Sequence, residues 1–415
     1  MTPLALGIDL GTSGVRIALL DQDETLLFTQ AVSYRLGLGQ PLDWSDACTE
    51  LIRSIPNALR DRVRAIAVDG TSGTLLACNA TGTPLGKALA YSDAFREHQP
   101  MLEAMVSPES PAASCSGSLA RALELLNRHP EAHWLRHQAD WINGWLLEDW
   151  RWGEEGNNLR LGWELETMQW VPALQTEPWR RLLPQILPSG TLLGRISPNR
   201  AETLGLSDHV VVFAGTTDSN AAVLAAAPGP NDGVTVLGTT LVVKRFTPGA
   251  IEGAGITSHR VGGQWLCGGA SNAGAGVLRR FFTDDELVEL SRQIDPEQES
   301  GLKLLPLPGP GERFPVDDPT LQPVLEPRPI SDALYLHGLL EGLATIEAKG
   351  WERLHQLGAA RPQRVISLGG GARNPQWRRI RERKLGCPVV SSLKPPAAGV
   401  ARLALDGLVR AQSNR

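Results

Sequence analysis

Short apolar runs that end at small polar residues recur along the chain. The first run occupies residues 4–8, ends at Asp9 and is followed by the small residues 11–14, after which a second apolar run begins at Val15. Apolar runs of this length, bounded by glycine-rich turns, are typical of strands. The pattern therefore predicts a β-hairpin at the start of the chain.

Strand and helix patterns alternate after this hairpin. Apolar positions recur at helical spacing in residues 44–62, and a β-rich run follows at residues 63–69. Such alternation is typical of α/β proteins, in which helices pack on mixed sheets. Further segments predicted in the same way are 115–152 and 397–411 as helix, and 209–213 and 364–368 as strand.

A proline-rich break predicts the boundary between two domains. At 415 residues the chain is too long for one ordinary core. The segment Pro228-Gly229-Pro230 would end the Ala-rich helix that precedes it. We therefore expect one domain at residues 1–227 and another at residues 228–415.

The turn at the start of the chain recurs at the start of the second domain. Residues 234–243 again read as strand, Gly-Thr-Thr turn and strand, with a valine at the position of Asp9. Backbone N–H groups and hydroxyls of such turns can approach a phosphate. Asp9 could offer an oxygen ligand to a bridging divalent cation. An ordinary hairpin turn with a solvated aspartate is the alternative. The paired turn residues are Gly11 with Gly238, Thr12 with Thr239 and Ser13 with Thr240.

Glycines in the first turn are expected to have a conformational role. Gly11 and Gly14 flank its two polar residues, and glycine supplies the dihedral freedom that tight turns often need. Similar Gly-Thr-Ser/Thr turns follow apolar runs at Gly70 and Gly215, with Asp69 and Asp218 nearby. Together the turns predict a cleft lined by small hydroxyl side chains and backbone amides.

Asp218 is the candidate catalytic base. It lies between a predicted strand and an Ala-rich helix, and Thr217, Asp218 and Ser219 are all good N-cap residues for that helix. A carboxylate at a helix N-terminus is kept ionised by the helix dipole. Such a carboxylate can accept the proton of a substrate hydroxyl, so the roles of base and cap are compatible.

A run of three glycines, Gly369, Gly370 and Gly371, follows a predicted strand and precedes a helix. Consecutive glycines allow a flat ring to lie on the backbone. Asn374 could then bind an adenine edge and Trp377 could cover the other face of the ring. The alternative is a glycine-rich helix entry capped by Asn374. Neither the P-loop spacing nor the dinucleotide-binding spacing is present.

Composition excludes several classes of function. The formal net charge is −5, and no Lys/Arg run indicates a nucleic-acid partner. The five cysteines are scattered, without metal-ligand spacing. No apolar run is long enough for a membrane span, and the N-terminus does not read as a signal peptide. We expect a cytoplasmic protein, or one in an equivalent plastid-like compartment, that is a monomer or a homodimer without a membrane partner.

Four motifs in this order resemble those of the FGGY family of carbohydrate kinases. They are I-D-L-G-T-S-G-V-R at 8–16, G-T-T-D-S-N-A-A at 215–222, V-L-G-T-T at 236–240 and G-G-G-A-R-N-P at 369–375. The resemblance implies an α/β, actin-like (ribonuclease H-like) fold. It further implies two domains with mixed sheets and an active-site cleft between them. It also implies ATP and Mg²⁺ as cofactors, with sugar binding and the base in the first domain and nucleotide binding in the second.

The resemblance also assigns roles to individual residues. Asp9 would act on magnesium and phosphate, Asp218 would be the base, and Ser72, Gly73 and Asp218 would hold the sugar. The phosphate-binding residues would be Asp9, Gly11, Thr12, Ser13, Arg16, Gly238, Thr239 and Thr240. The adenosine-binding residues would be Gly369, Gly370, Gly371, Asn374 and Trp377.

Departures from the family pattern point to the substrate. Xylulose kinases usually read Gly-Gln-Met-His-Gly where residues 68–74 here read V-D-G-T-S-G-T. This sequence is similar to that of a short xylulokinase-like branch of cyanobacteria and plant plastids, for which D-ribulose is the better-fitting substrate. The resemblance thus implies phosphorylation of a small-molecule ketopentose, D-ribulose to its 5-phosphate. D-xylulose or another polyol is the first alternative, and an ATP-binding sugar sensor or weak ATPase is the second.

Overall fold

Contacts along the chain divide it into two units. The structure, a computed structural model, describes residues 2–413. Unit 1 comprises residues 2–225, 260–263 and 395–413, and unit 2 comprises Ala226–His259 and Gln264–Lys394. The first division of the chain lies within two residues of the predicted boundary at residue 227.

The elements of unit 1 are numbered in chain order. Its strands are β1 (Leu4–Leu10), β2 (Gly14–Leu20), β3 (Leu26–Ser33), β4 (Val63–Gly70), β5 (Leu75–Cys78), β6 (Trp134–His137), β7 (Trp152–Glu154), β8 (Trp163–Glu164), β9 (Gln169–Trp170), β10 (Gln185–Leu187), β11 (Leu192–Arg195) and β12 (Val211–Thr217). Its first helices are α1 (Pro41–Ser54), α2 (Asn57–Arg60), α3 (Gln99–Met105), α4 (Ser118–Arg128), α5 (Gln138–Leu147), α6 (Glu155–Asn158), α7 (Pro172–Thr176), α8 (Pro198–Leu204) and α9 (Asp218–Ala225). Single turns of 3₁₀ helix lie at Arg96–His98, Leu159–Leu161 and Arg180–Leu182.

A six-stranded mixed sheet forms the centre of unit 1. Its strand order is β11-β12-β4-β1-β2-β3. Strands β12, β4 and β1 run parallel, whereas β1, β2 and β3 form an antiparallel meander. The predicted N-terminal hairpin is therefore present as β1 and β2. All seven residues of β1 are buried, as expected of a central strand covered on both faces.

Helices α1 and α5 cover one face of this sheet. Trp44 of α1 and Trp141 of α5 meet edge to face, with ring centroids 6.0 Å apart. Both rings belong to a core that includes Ile8 and Val68 from the central strands. The segment 115–152, predicted as helix, is interrupted by β6, which pairs antiparallel with β5. Pairing between distant segments outweighs the local helical pattern here.

Five strands of unit 2 repeat the sheet topology of unit 1. Its elements are β13 (Asp232–Leu237), β14 (Leu241–Thr247), β15 (Ile256–Val261), β16 (Gln264–Ala270), α10 (Ala275–Leu278), α11 (Asp284–Ser291), α12 (Asp332–Gln356), β17 (Arg364–Leu368), the 3₁₀ turn Gly370–Arg373, α13 (Pro375–Leu385) and β18 (Val389–Ser391). The strand order is β15-β16-β14-β13-β17-β18, with β13, β17 and β18 parallel. The hairpin of β13 and β14 therefore corresponds to that of β1 and β2.

The last helix, α14 (Pro396–Ser413), belongs to unit 1, whereas the sequence assigns it to the second domain. It packs on β1, β4 and α9. A Cβ at Gly7 would lie 1.8 Å from the carbonyl oxygen of Ala397, and one at Gly399 would lie 2.0 Å from that of Ala221. Glycines at these positions let the helix backbone approach closely, and this packing fixes its place. Within residues 2–413, no helix combines the length and the apolar character needed to cross a membrane.

Candidate active site

Three parallel strands of unit 1 bring three aspartates to one edge of its sheet. Asp9 of β1 lies opposite Asp69 of β4 in the parallel register. Asp69 in turn lies opposite Thr216 of β12, and Asp218 follows at the start of α9. Because parallel strands end at the same edge, residues separated by more than 200 positions meet there.

Asp9 faces one arginine across the hairpin. The Nη1 atom of Arg16, opposite Asp9 in the antiparallel register, lies 3.5 Å from its Oδ2 atom. Burial raises the pKa of Asp9, whereas a hydrogen bond to Asp69 and the charge of Arg16 lower it. The side chain of Arg16 is 45% exposed, so water screens much of its charge.

Asp69 has a buried carboxyl group that lacks a hydrogen-bond donor among the described residues. It is 0% exposed, and within the described residues neither of its oxygens receives a hydrogen bond from an N–H or O–H group. Burial raises the pKa of Asp69 well above its usual value, and the charges of Asp9 and Asp218 raise it further. Sequence reasoning noted Asp69 beside a turn but gave it no role.

The turn between β1 and β2 presents Thr12 and Ser13 to solvent. The N–H of Gly11 donates to the carbonyl of Gly14 at 2.9 Å, which closes the turn. Neither glycine has a positive φ, so the predicted need for dihedral freedom is wrong. Gly14 is needed for space, because a Cβ there would lie 2.1 Å from the carbonyl oxygen of Val32.

A second turn, at residues 71–74, is held by buried hydrogen bonds. The hydroxyl of Thr71 donates to Oε1 of Gln138 at 2.7 Å, and the hydroxyls of Thr71 and Thr74 lie 2.6 Å apart. Gly73 has φ +104°, a conformation that favours glycine. Ser72 is half-buried at the tip of this turn.

A buried arginine lies behind the second turn. Arg121 of α4 is 0% exposed and donates through Nε and Nη2 to the backbone carbonyls of residues 90, 91, 93 and 116. Its Nη1 atom has no hydrogen-bond partner among the described residues. Burial lowers the pKa of Arg121 to about 10. The sequence carries no signal for Gln138 or Arg121, because both come to the turn from distant helices.

At the start of α9, the helix cap and the candidate base are two different residues. The hydroxyl of Thr217 accepts a hydrogen bond from the N–H of Asn220 at 3.4 Å, so Thr217 acts as the cap. Asp218 is the first helical residue, and its Oδ1 accepts from the N–H of Ser219 at 2.7 Å. Its carboxylate is therefore oriented by the helix N-terminus while it remains half-buried.

In unit 2 the corresponding turn lies between β13 and β14. The N–H of Gly238 donates to the carbonyl of Thr240 at 3.1 Å, whereas Gly11 in unit 1 donates to Gly14, one position further along its turn. The carbonyls of Gly238 and Thr239 accept from the N–H groups of Ala275 and Gly276. The side chain of Thr239 is exposed. A hydrogen bond from the glycine N–H therefore closes both turns, but its acceptor lies at a different position in each.

The glycine-rich segment differs from the prediction at two side chains. Trp377 is 1% exposed and packs in the core of unit 2 against Gly371, so its ring cannot cover a nucleotide base. Asn374 caps α13 by accepting from the N–H of Trp377 at 3.0 Å, and its Nδ2 donates to Ser291. Gly370 is exposed, and a Cβ there would contact nothing.

Comparison with known proteins identifies the family. Residues 233–406 match the sequence profile of the FGGY family of carbohydrate kinases, C-terminal domain. Residues 233–406 therefore carry the C-terminal domain of that family. It is 24% identical over 414 residues to the xylulose kinase of Lactococcus lactis, across 89% of this chain and 80% of that protein. It is also 24% identical over 452 residues to the xylulose kinase of Escherichia coli, across 96% of this chain and 89% of that protein.

Solved structures agree with the family assignment at the level of the fold. The xylulose kinase from Rhodospirillum rubrum superposes with a TM-score of 0.82 at 20% identity, across 98% of this chain and 92% of that chain. The predicted α/β, actin-like fold of two domains with mixed sheets is confirmed, as is the assignment to the sugar kinases. An FGGY kinase uses ATP as its phosphoryl donor.

Proposed function

We propose that this FGGY kinase transfers the γ-phosphoryl group of ATP to the terminal hydroxyl of a ketopentose, and that D-ribulose is its substrate. The observation that carries the proposal is the meeting of Asp9, Asp69 and Asp218 at one sheet edge, beside the turn 71–74. Ser72 and Gly73 would contact the sugar there. The sequence of this turn departs from the Gly-Gln-Met-His-Gly that is usual in xylulose kinases, and this supports D-ribulose over xylulose, the sugar named for the two relatives.

Asp218 would act as the base of the transfer. The substrate hydroxyl oxygen would form a bond to the γ-phosphorus, the bond to the β–γ bridging oxygen would break, and ADP would leave. The hydroxyl proton would pass to the carboxylate of Asp218, which the Ser219 N–H holds in place. Little basicity is needed, because positioning and charge stabilisation dominate phosphoryl transfer.

The donor set at the sheet edge fits magnesium. Mg²⁺ prefers carboxylate oxygens, and both oxygens of the buried Asp69 lack a donor within the described residues. Asp9 would hold the ion, which when bound would neutralise charge on the transferred phosphoryl group. Arg16 and the turn residues Gly11, Thr12 and Ser13 would bind phosphate in unit 1.

Unit 2 would bind the nucleotide. Gly238, Thr239 and Thr240 would form its phosphate turn, and Gly369, Gly370 and Gly371 would contact the adenosine. Asn374 and Trp377 are assigned to the helix cap and the core instead.

ADP release measured with a coupled assay tests the proposal. D-ribulose, D-xylulose, L-ribulose and glycerol are compared at equal concentration, and we expect the highest kcat/KM with D-ribulose. A higher kcat/KM with D-xylulose would reassign the substrate. If none of the four compounds stimulated ADP release, the protein would be a sugar sensor or a weak ATPase.

A further inference from the structure

Asp69 and Asp9 form a pair of carboxyl groups at the sheet edge. The two side chains lie on neighbouring parallel strands at the same register. Asp69 is completely buried, and among the described residues no N–H or O–H group donates to it. Asp218 adds a third carboxylate whose charge acts on Asp69.

The protein supplies little positive charge to this pair. Arg16 reaches Asp9 at 3.5 Å and is half-exposed, and no ion pair joins an arginine or lysine to Asp69 within the described residues. A buried carboxylate without a donor is strongly disfavoured unless a proton or a cation compensates it. The ionised form of Asp69 therefore needs a cation beside it.

We propose that Asp69 is a second carboxylate ligand of the divalent cation at Asp9, so that two neighbouring strands hold the metal together. This inference rests on the proposed function, which places that metal at Asp9. Mg²⁺ prefers carboxylate oxygens, and the parallel register of β1 and β4 places the two carboxyl groups side by side before any ligand binds.

Binding of Mn²⁺ to the full chain without nucleotide tests the proposal. Free Mn²⁺ is followed by its electron paramagnetic resonance signal in wild type, Asp69→Asn and Asp43→Asn. Asp43 is a matched control, because it is also buried in unit 1 but accepts hydrogen bonds from the N–H groups of Leu36 and Gly37. We expect Asp69→Asn to weaken Mn²⁺ binding at least tenfold, within the range reported for loss of groups that support a metal, and Asp43→Asn to leave it unchanged.

The contrary result is equally specific. If Asp69 only shares a proton with Asp9, the amide of Asp69→Asn can donate to Asp9 in its place, and Mn²⁺ affinity stays within twofold of wild type. That outcome would overturn the proposal.

A second variant keeps the test decisive if Asp69→Asn folds poorly. In Asp69→Cys a metal ligand would become a thiolate, which prefers the softer Cd²⁺. We expect its Cd²⁺ affinity to rise at least tenfold relative to Mn²⁺, and an unchanged ratio would contradict metal ligation. Sugar-stimulated ADP release is assayed on the same preparations. If wild type itself showed no sugar-stimulated ADP release, the kinase proposal would be rejected. The role of Asp69 is decided by the metal titrations alone.

Discussion

The guanidinium of Arg121 lies directly against Gly73: a Cβ on that glycine would be 3.3 Å from Nη1. Arg121 also fixes the backbone carbonyls of Ala90 and Tyr91, and the N–H of Tyr91 donates to the hydroxyl of Thr74. The buried guanidinium of Arg121 therefore supports the turn at residues 71–74, which we propose contacts the sugar. A side chain at this position would be strained by the positive φ of Gly73 and would crowd the guanidinium of Arg121.

Replacement of Gly73 tests this relationship. We expect Gly73→Ala to lower the free energy of unfolding by about 1–2 kcal/mol through backbone strain and to raise KM for the sugar more than KM for ATP. Gly37→Ala is the control, since Gly37 has φ +90° but open space around its Cβ position. It should show the strain in urea unfolding without a change in KM. Equal effects on both KM values in Gly73→Ala would argue against a sugar-binding turn.

The separation of cap and base at α9 predicts two opposite phenotypes. Asp218→Ala should abolish most turnover while ATP affinity, measured by titration, is kept. Thr217→Val removes the hydroxyl that accepts from Asn220 and should cost about 1 kcal/mol of stability with kcat largely retained. Turnover that survived in Asp218→Ala would assign the proton to another group.

The buried position of Trp377 predicts a structural role alone. Trp377→Phe should lower the free energy of unfolding by about 1–3 kcal/mol, because the ring fills the core of unit 2 beside Gly371. The KM for ATP should stay within twofold of wild type. A large rise in that KM, measured at saturating sugar, would restore the stacking role that the sequence suggested.

Glu154 predicts a pH dependence of stability. Burial raises its pKa well above the usual 4.5, although the N–H groups of Gly156 and Asn157 oppose this. The folded chain therefore holds the proton more tightly, so this contribution to stability is full below pH 4.5 and is lost as the pH rises through the raised pKa. Wild type should lose stability relative to Glu154→Gln over that window, by up to about 1.4 kcal/mol per pH unit.

Urea unfolding of the full chain between pH 4.5 and 8 measures this difference. Asp232 provides a control of opposite sign, since the hydrogen bonds from Arg364 lower its pKa. Its stabilising contribution is complete above pH 3.8 and is lost only as the pH falls through the lowered pKa. The curves of wild type and Asp232→Asn should therefore run parallel. Parallel curves for Glu154→Gln as well would contradict the raised pKa.

Local patterns were sufficient for the elements that carry the motifs. The hairpin around Gly11 and its copy around Gly238 were predicted from apolar runs and turn residues, because both signals are contained within about 15 positions of sequence. The place of Asp218 at the start of α9 followed in the same way. The resemblance to the FGGY family indicates, from the order of the motifs, that these turns belong to one fold.

The sequence predictions fail at residues whose position depends on packing between distant parts of the chain. A tryptophan near a glycine-rich segment can stack on a ligand or fill a core, and only the tertiary structure places Trp377 in the core. The role of Asp69 depends on its register with Asp9, which the parallel pairing of β1 and β4 creates. Helix α14 is rich in alanine and glycine, and such a surface can pack on a helix or a strand of either unit.

Because α14 follows unit 2 in the chain but packs on unit 1, unit 2 can be completed before unit 1 during synthesis. The alanine-rich face of β1 and β4, including Ala5, Ala65 and Ala67, is covered by residues of α14, which is synthesised after unit 2. Unit 2 lies between the two parts of unit 1 in the chain, and its sheet can be complete while unit 1 still lacks one layer. A nascent chain stopped at residue 394 would leave that face uncovered, and unit 1 would gain its missing layer only once α14 had been synthesised.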